Sequence, residues 1–294
     1  MTPGRILIRP LSTSEEMHAV EDLQRKVWPG DETEVVPAHM LMAVAHGGGV
    51  LLGAYDGDRL VGMVYGFLGT DSASPNRVAM ARLKHGSHLL AVDPDRRDQS
   101  IGYALKLAQR QAVMEQGIRL VTWTYDPLVG RNAHLNIRKL GAVCRTYLRE
   151  VYGEMRDGLN VGLPSDRFQV DWWITSNRVI SRLDSHRPPL DLAHFLEAGA
   201  QKLNPAALGP DDLPKPSESF DRPSGTLALV EIPPDFHALK SRDIGLAMAW
   251  RHHARAIFEQ VFAAGYIVTD FVHLRGERAP RSYYVLSQGD STLG

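Results

Sequence analysis

Leu89-Leu90-Ala91-Val92-Asp93-Pro94-Asp95-Arg96-Arg97-Asp98-Gln99-Ser100-Ile101-Gly102-Tyr103-Ala104-Leu105 is the stretch around which the chain is read. An apolar run stops at a proline, a short charged loop follows, and Ser100 and Gly102 open an uninterrupted helical pattern. Strand, turn and helix N-terminus in that order leave backbone N–H groups available to an anion. Gly102 lets a ligand approach the first helical turn closely, and Arg96 and Arg97 place positive charge beside it.

The elements on either side extend the pattern. Ile6 to Pro10 reads as a strand, with Ser12 or Ser14 as cap of a following helix that carries Val20, Leu23, Val27 and Trp28 on one face. Pro37 opens a second helix over 37–46. Val50–Tyr55 and Leu60–Leu68 read as strands joined by the Asp56-Gly57-Asp58 turn, and 70–86 as a loop. His88 to Val92 is a strand, Gln99 to Gln116 a helix, and Ile118 to Tyr125 a strand that a right-handed crossover places parallel to the first. A helix centred on 132–139 ends at Gly141, and Ala142–Tyr152 and Phe168–Ile174 are two further strands around a polar, glycine-rich loop, 155–167. Trp172 and Trp173, adjacent on a strand, point to opposite faces. Val179 to Leu183 reads as a continuation of that last strand, Leu190–Leu196 as a short helix, and Pro205–Ser224 as linker or surface loop. Strand 227–232, helix 243–263 and strands 266–271 and 282–286 then form a unit that cannot cover both its faces. It extends the same sheet, makes a half-domain that packs or dimerises against it, or stands separate, so a homodimer stays open.

Composition narrows the class. With 33 Lys and Arg against 34 Asp and Glu the net charge is −1, which implies no bulk attraction to nucleic acid or an anionic membrane. Cys144 is the only cysteine, so an intramolecular disulfide and a four-thiolate zinc site are excluded, and no metal is expected. The start of the chain, Met1-Thr2-Pro3-Gly4-Arg5, lacks the apolar core of a signal peptide, and a cytoplasmic location is the default.

Val92-Asp93-Pro94-Asp95-Arg96-Arg97-Asp98-Gln99-Ser100-Ile101-Gly102-Tyr103-Ala104-Leu105 resembles motif A of the GCN5-related N-acetyltransferase (GNAT) superfamily, V-x-P-x-x-R-G-x-G-x-G-x-x-L. Arg97 falls on the leading basic position, Ser100 on a conserved glycine and Gly102 on the next. The element order β-α-α-β-β-β-α-β-α-β-β over about 6–175 is likewise that of the family. The stretches 123–127 and 131–136, with Gly158-Leu159-Asn160 and 164–167, look like an uncharacterised branch of predicted acetyltransferases.

The resemblance implies a mixed α/β sheet with the GNAT acyl-CoA N-acyltransferase fold over 1–180, a connector over 181–224 and a C-terminal strand–helix–strand region over 225–294. It implies acetyl-CoA as cosubstrate. Leu90, Ala91 and Val92 would offer main-chain contacts to the pantetheine arm. Arg97, Asp98, Gln99, Ser100, Ile101, Gly102, Tyr103 and Ala104 would form the pyrophosphate cradle, and Asn132 would meet the pantetheine or acetyl group. The partner is a small-molecule amine. The family tyrosine four residues before the glycine of its K-L-G-F motif is Ile137 in this chain, so the usual acid for the leaving thiolate is missing.

Acetyl transfer needs a neutral amine, an N–H for the developing oxyanion, and a way to hold or protonate the thiolate. His88, beside the cradle, and His134, in the first turn after Asn132, are candidate acid–base groups, and Tyr152 is a candidate substitute for the missing tyrosine. Each has a plain alternative: packing or solvated histidines, Asn132 as an N-cap, Tyr152 as sheet packing. Tyr125 and Asp126 end a strand where ligands gather in open sheets, and Arg167 suits a substrate carboxylate or a surface ion pair. The resulting expectation is direct acetyl transfer to an amine. The alternative is a non-catalytic acyl-CoA-binding protein with a structural or sensory role. A dinucleotide oxidoreductase fits less well, because the three-glycine spacing and the acidic ribose-binding residue are missing.

Overall fold

The computed structural model describes residues 6–30, 32–71, 75–153, 155, 161–184, 188–209, 211–275 and 279–289. The Met1-Thr2-Pro3-Gly4-Arg5 stretch and the Gly158-Leu159-Asn160 part of the polar loop lie outside the described residues. The chain divides into two compact units, Met1–Trp123 with Arg156–Val161, and Thr124–Met155 with Gly162–Gly294.

In the first unit, β1 (Leu7–Pro10) leads into α1 (Ser14–Val27). The cap is Thr13, not Ser12 or Ser14. Its hydroxyl accepts the Glu16 N–H and the Glu16 carboxylate accepts the Thr13 N–H, a reciprocal capping box. Then come α2 (Ala38–His46), β2 (Val50–Asp56) and β3 (Arg59–Thr70). The β2–β3 turn places Gly57 at φ +60°, which a tight two-residue hairpin asks of a glycine. Met17, Val20, Leu23, Leu41, Leu51, Met63 and Tyr65 form the core between α1, α2 and the sheet.

β4 spans Leu83–Val92, starting five residues before the expected His88, because a short 3-10 turn over Ala79–Arg82 returns the chain into register with β3. Next are α3 (Ile101–Glu115) and β5 (Leu120–Tyr125). The order within this unit is β1-β2-β3-β4-β5, antiparallel up to β4 and parallel between β4 and β5. α3 sits tightly on β3: a Cβ added at Gly62 would lie 3.1 Å from both Ile101 and Leu105.

The second unit begins at the end of β5. α4 (Gly130–Ala133) passes directly into a π-helical turn over His134–Lys139, followed by β6 (Val143–Leu148) and β7 (Arg167–Trp173). The β-α-α-β-β-β-α-β-α-β-β order expected over 6–175 is therefore present, in mixed α/β sheets. Trp172 is buried and Trp173 is 42% exposed, on opposite faces. Val179–Leu183 is not strand but lies in α5 (Asn177–Leu183), because Ser176 caps the Val179 N–H and starts a helix.

After α6 (Leu192–Glu197) comes the two-residue strand β8 (Gln201–Lys202), and two more, β9 (Ala207–Leu208) and β10 (Pro214–Lys215), run through the stretch expected as linker. That stretch is held down: Leu213 is buried and the Trp250 indole donates to the Pro214 carbonyl at 2.7 Å. β11 (Leu227–Ile232), the unanticipated α7 (Phe236–Arg242), α8 (Ile244–Ala263), β12 (Tyr266–Leu274) and β13 (Arg281–Gln288) complete it. β13 lies between β11 and β12, antiparallel to both, and β12 pairs with β6 at Val268↔Cys144. Phe168, Phe258, Phe271 and Tyr284 form an edge-to-face aromatic core, Phe168 and Phe258 with centroids 4.6 Å apart.

Candidate functional site

The loop from β4 to α3 is fixed by Asp93. Its backbone N–H donates to Val61 O, and its buried carboxylate accepts the Asp95 N–H at 3.0 Å. Lys26 from α1 lies 2.7 Å from one oxygen and Arg59 bonds the other. Burial would raise the Asp93 pKa, but these partners, Lys26 foremost, hold it below the usual aspartate value. Asp93 falls on a variable position of the motif, so sequence reading passed over it. Its local signal is the Asx turn that Asp-Pro-Asp favours.

Beyond Asp93, Arg96 is tied to Asp56, while Arg97, Asp98, Gln99 and Ser100 are exposed. Asp98 and Ser100, on two glycine positions of the motif, both take left-handed backbone, at φ +63° and +60°. Ser100 is thereby turned so that its side chain does not cap α3. The first amide bonded back within the helix is Ala104, to Ser100 O at 3.0 Å. By contrast α1, α5, α6, α7 and α8 are all side-chain capped, by Thr13, Ser176, Asp191, Asp235 and Asp243. The side chain of Ile101 is buried in the core, so only its backbone faces the cradle; Gly102, Tyr103 and Ala104 are half-buried. An uncapped first turn with no side chain at Gly102 suits an anion that binds main-chain N–H groups.

The β4–β5 pairing holds only two registered pairs, His85↔Val121 and Gly86↔Thr122. From Ser87 to Val92, β4 pairs with β3 alone. Leu90, Ala91 and Val92 thus lie on the part of β4 where the parallel strands have forked. A bulge at His88, between the pairs Gly66↔Ser87 and Tyr65↔Leu89, turns the strand over at the start of this stretch. His88 is exposed beside the rings of Tyr65 and Phe67, and burial of its ring by the surrounding protein lowers its pKa.

In the second unit Asn132 is not the cap of α4. It is the third helical residue, its N–H on Val129 O, with Val129 in the capping position and no side-chain cap. Ile137, four residues before Gly141, is fully buried within the π-helical turn. His134 is at the surface. Burial by neighbouring protein, then the positive Lys139 and Arg138, lower its pKa, which favours the neutral, proton-accepting ring. Tyr152 is 48% exposed, its hydroxyl 2.7 Å from Thr124 Oγ1 and its ring under the Arg167 guanidinium at 5.5 Å.

Tyr125, Asp126 and Arg167 join an interior network. The Tyr125 hydroxyl lies 3.2 Å from that of Tyr284, and burial drives its pKa far up. Arg251 on α8, 1% exposed, binds both oxygens of Asp126, with Arg167 4.0 Å away. Asp166, fully buried, accepts from Tyr147 at 2.7 Å and from Arg255 at 2.8 and 2.9 Å. Sequence reading missed Arg251 and Arg255, because periodicity alone marks neither as an interior cation. Among the described residues no group of three His, Cys, Asp or Glu is placed to hold a metal, and no helix is long and apolar enough to cross a membrane.

No family model matches this chain, and no curated protein matches it. Among solved structures it is similar to NAA60 of Arabidopsis thaliana in complex with acetyl-CoA, at 16% identity and a TM-score of 0.46, covering 57% of this chain and 99% of that one. It is also similar to the ribosomal-protein-S18-alanine N-acetyltransferase of Escherichia coli, at 14% identity and 0.44, over 58% and 96% of the two chains. An aminoglycoside 6'-acetyltransferase type Ii matches at 19% and 0.44, over 58% and 98%.

Proposed function

We propose that the chain is an N-acetyltransferase that passes the acetyl group of acetyl-CoA directly to the neutral amine of a small molecule. The observation that carries this reading is the fork of β4 from β5 after two pairs, ending in a motif-A loop whose helix is uncapped. In this reading the backbone of Arg97 to Ala104 holds the pyrophosphate, with Gly102 allowing close approach, and Leu90, Ala91 and Val92 hold the pantetheine arm. Acetyl-CoA supplies an activated acyl group, so the protein's share is binding, orientation and charge management. The main-chain N–H groups at the His88 bulge are the candidates for polarising a carbonyl. Neutral His134 is the candidate base and Asn132 the candidate hydrogen-bonding group for the donor. Tyr152, with its hydroxyl already on Thr124, is the candidate acid. Residues 1–180 would carry the transferase and 225–294 an extension, joined by 181–224.

The rival reading, an acyl-CoA-binding protein without transfer, is favoured by one observation: buried Ile137 stands where the family acid is expected. Incubation with acetyl-CoA and a panel of amines, following free thiol, separates the two. Amine-dependent thiol release supports the transferase, and tight CoA binding without release from any amine supports the binding protein.

A further inference from the structure

Lys106 is a buried cation of the first unit that the proposed function leaves unused. It sits on α3, 2% exposed, and among the described residues no carboxylate pairs with it. Its ammonium donates to Ser87 Oγ at 2.8 Å and to Gln109 Oε1 at 3.1 Å, and lies 3.8 Å from the centre of the Trp123 ring. The groups that face it are Ser87 and His85 from β4, Gln109 from its own helix and Trp123 from β5. Gln109 presents its amide nitrogen to His85 Nε2 at 3.2 Å, which leaves His85 neutral with the proton on Nδ1, a buried atom without a partner. Burial, then the positive Lys106, pull the His85 pKa down to about 4, so His85 brings no neutralising charge. Burial likewise draws Lys106 down to about 7.

The position of this cluster is specific. Gly86↔Thr122 is the last β4–β5 pair; Ser87 and Trp123 are the next residues on each strand. Lys106 bridges them, at the base of the fork. A buried cation without a counter-ion is unfavourable, and a methionine would fill the same space without that penalty. Burial sheds part of that charge near neutral pH, and an anion arriving at this point restores it. On the acyltransferase reading, on which this inference rests, the thioester end of the donor enters the fork, and the group that becomes negative is its sulfur.

We infer that Lys106 is a positioning residue whose buried ammonium compensates the negative charge that forms on a thiolate held at the base of the β4–β5 fork. As the amine nitrogen bonds to the acyl carbon, the carbon–sulfur bond breaks and sulfur keeps the electron pair. The proton lost by nitrogen passes to the proposed base, His134, and on to solvent; Lys106 keeps its own proton and compensates the thiolate until the proposed acid, Tyr152, protonates it. The charge supplies what the tyrosine replaced by Ile137 cannot, and it does so from the opposite side of the chain's order, on α3.

Free CoA is the probe, and the readout needs no acceptor. Its binding is measured by calorimetry, and ionisation of its bound thiol is followed by thiolate ultraviolet absorbance against pH. In the wild-type protein the bound thiol ionises about tenfold more readily than in solution. In Lys106→Met, CoA still binds within about threefold, and the ionisation constant returns to within about threefold of free CoA. Lys106→Gln, neutral but still a donor to Ser87, gives the same result and serves if the methionine variant does not fold. Equal thiol ionisation in wild type and in either neutral variant, with CoA bound, overturns the role of Lys106 alone. Failure of the wild type to bind CoA overturns the acyltransferase reading and this inference with it.

Discussion

Replacing Asp126 by asparagine tests whether the second unit is held by an interior ion pair. The carboxylate accepts from Arg251 on both oxygens and from the Leu128 N–H at 2.9 Å, while Arg251 is 1% exposed. Asparagine keeps one acceptor for Leu128 and one for Arg251, but turns an NH2 group toward the other guanidinium nitrogen and leaves the cation uncompensated. Two unit charges about 4 Å apart interact by about 4 kcal/mol at an effective dielectric of about 20, and removing one member of a buried pair costs about 3–5 kcal/mol. For a unit of roughly 150–250 residues that is a fall in melting temperature of about 10 °C. Differential scanning calorimetry and urea unfolding at neutral pH measure it. The pH dependence has a fixed sign. Burial would raise the Asp126 pKa, but Arg251 more than offsets this and leaves it lowered. The wild-type advantage is therefore full above the unfolded carboxylate value and is lost as pH falls through the lowered folded value. Adding Arg251→Met to Asp126→Asn removes the stranded cation and returns stability to within about 2 kcal/mol of wild type. A single variant within about 1 kcal/mol of wild type, or a double variant less stable than the single, refutes the reasoning.

Three further outcomes follow from particular side chains. Ser100→Gly relieves a left-handed non-glycine residue, so it stabilises the protein by about 0.5–1 kcal/mol in urea unfolding and leaves CoA affinity unchanged or tighter; destabilisation would contradict it. His85, with its folded pKa pulled to about 4, takes up its proton in the unfolded chain first, so wild-type stability falls between about pH 6.5 and 4. His85→Gln flattens that limb by up to about 3 kcal/mol, and parallel limbs for the two proteins would contradict it. Ile137→Tyr overpacks a fully buried π-helical site, costing about 1–3 kcal/mol in thermal unfolding without raising thiol release, and a folded variant with higher release would contradict it.

Much of the first unit could be read from the chain because its signals are local. Val92 to Leu105 carries strand end, turn and helix start within one short stretch, and the Gly57 turn and the α1 periodicity work the same way. What could not be read depends on residues distant in sequence. Lys106 follows Leu105 on α3 and looks like a polar flank until Ser87 and Trp123 close over it. Arg251 becomes interior only because Asp126, more than a hundred residues away, meets it. The strand assigned to 179–183 failed for a smaller reason: β-branched Val179 and Ile180 suggest strand, and the Ser176 cap outweighs them. The π-helical turn over His134–Lys139 has no sequence signature, though it sets how Asn136 and Ile137 are buried.

On the proposed reading, the uncapped α3 N-terminus binds the pyrophosphate of CoA through its backbone, with Gly102 leaving room. Calorimetric titration of CoA into wild type and Gly102→Trp measures this. One site per chain is expected in the wild type, and at least a tenfold weaker one in a Gly102→Trp variant that melts normally. Equal affinity in the two proteins, or no binding to the wild type, contradicts it.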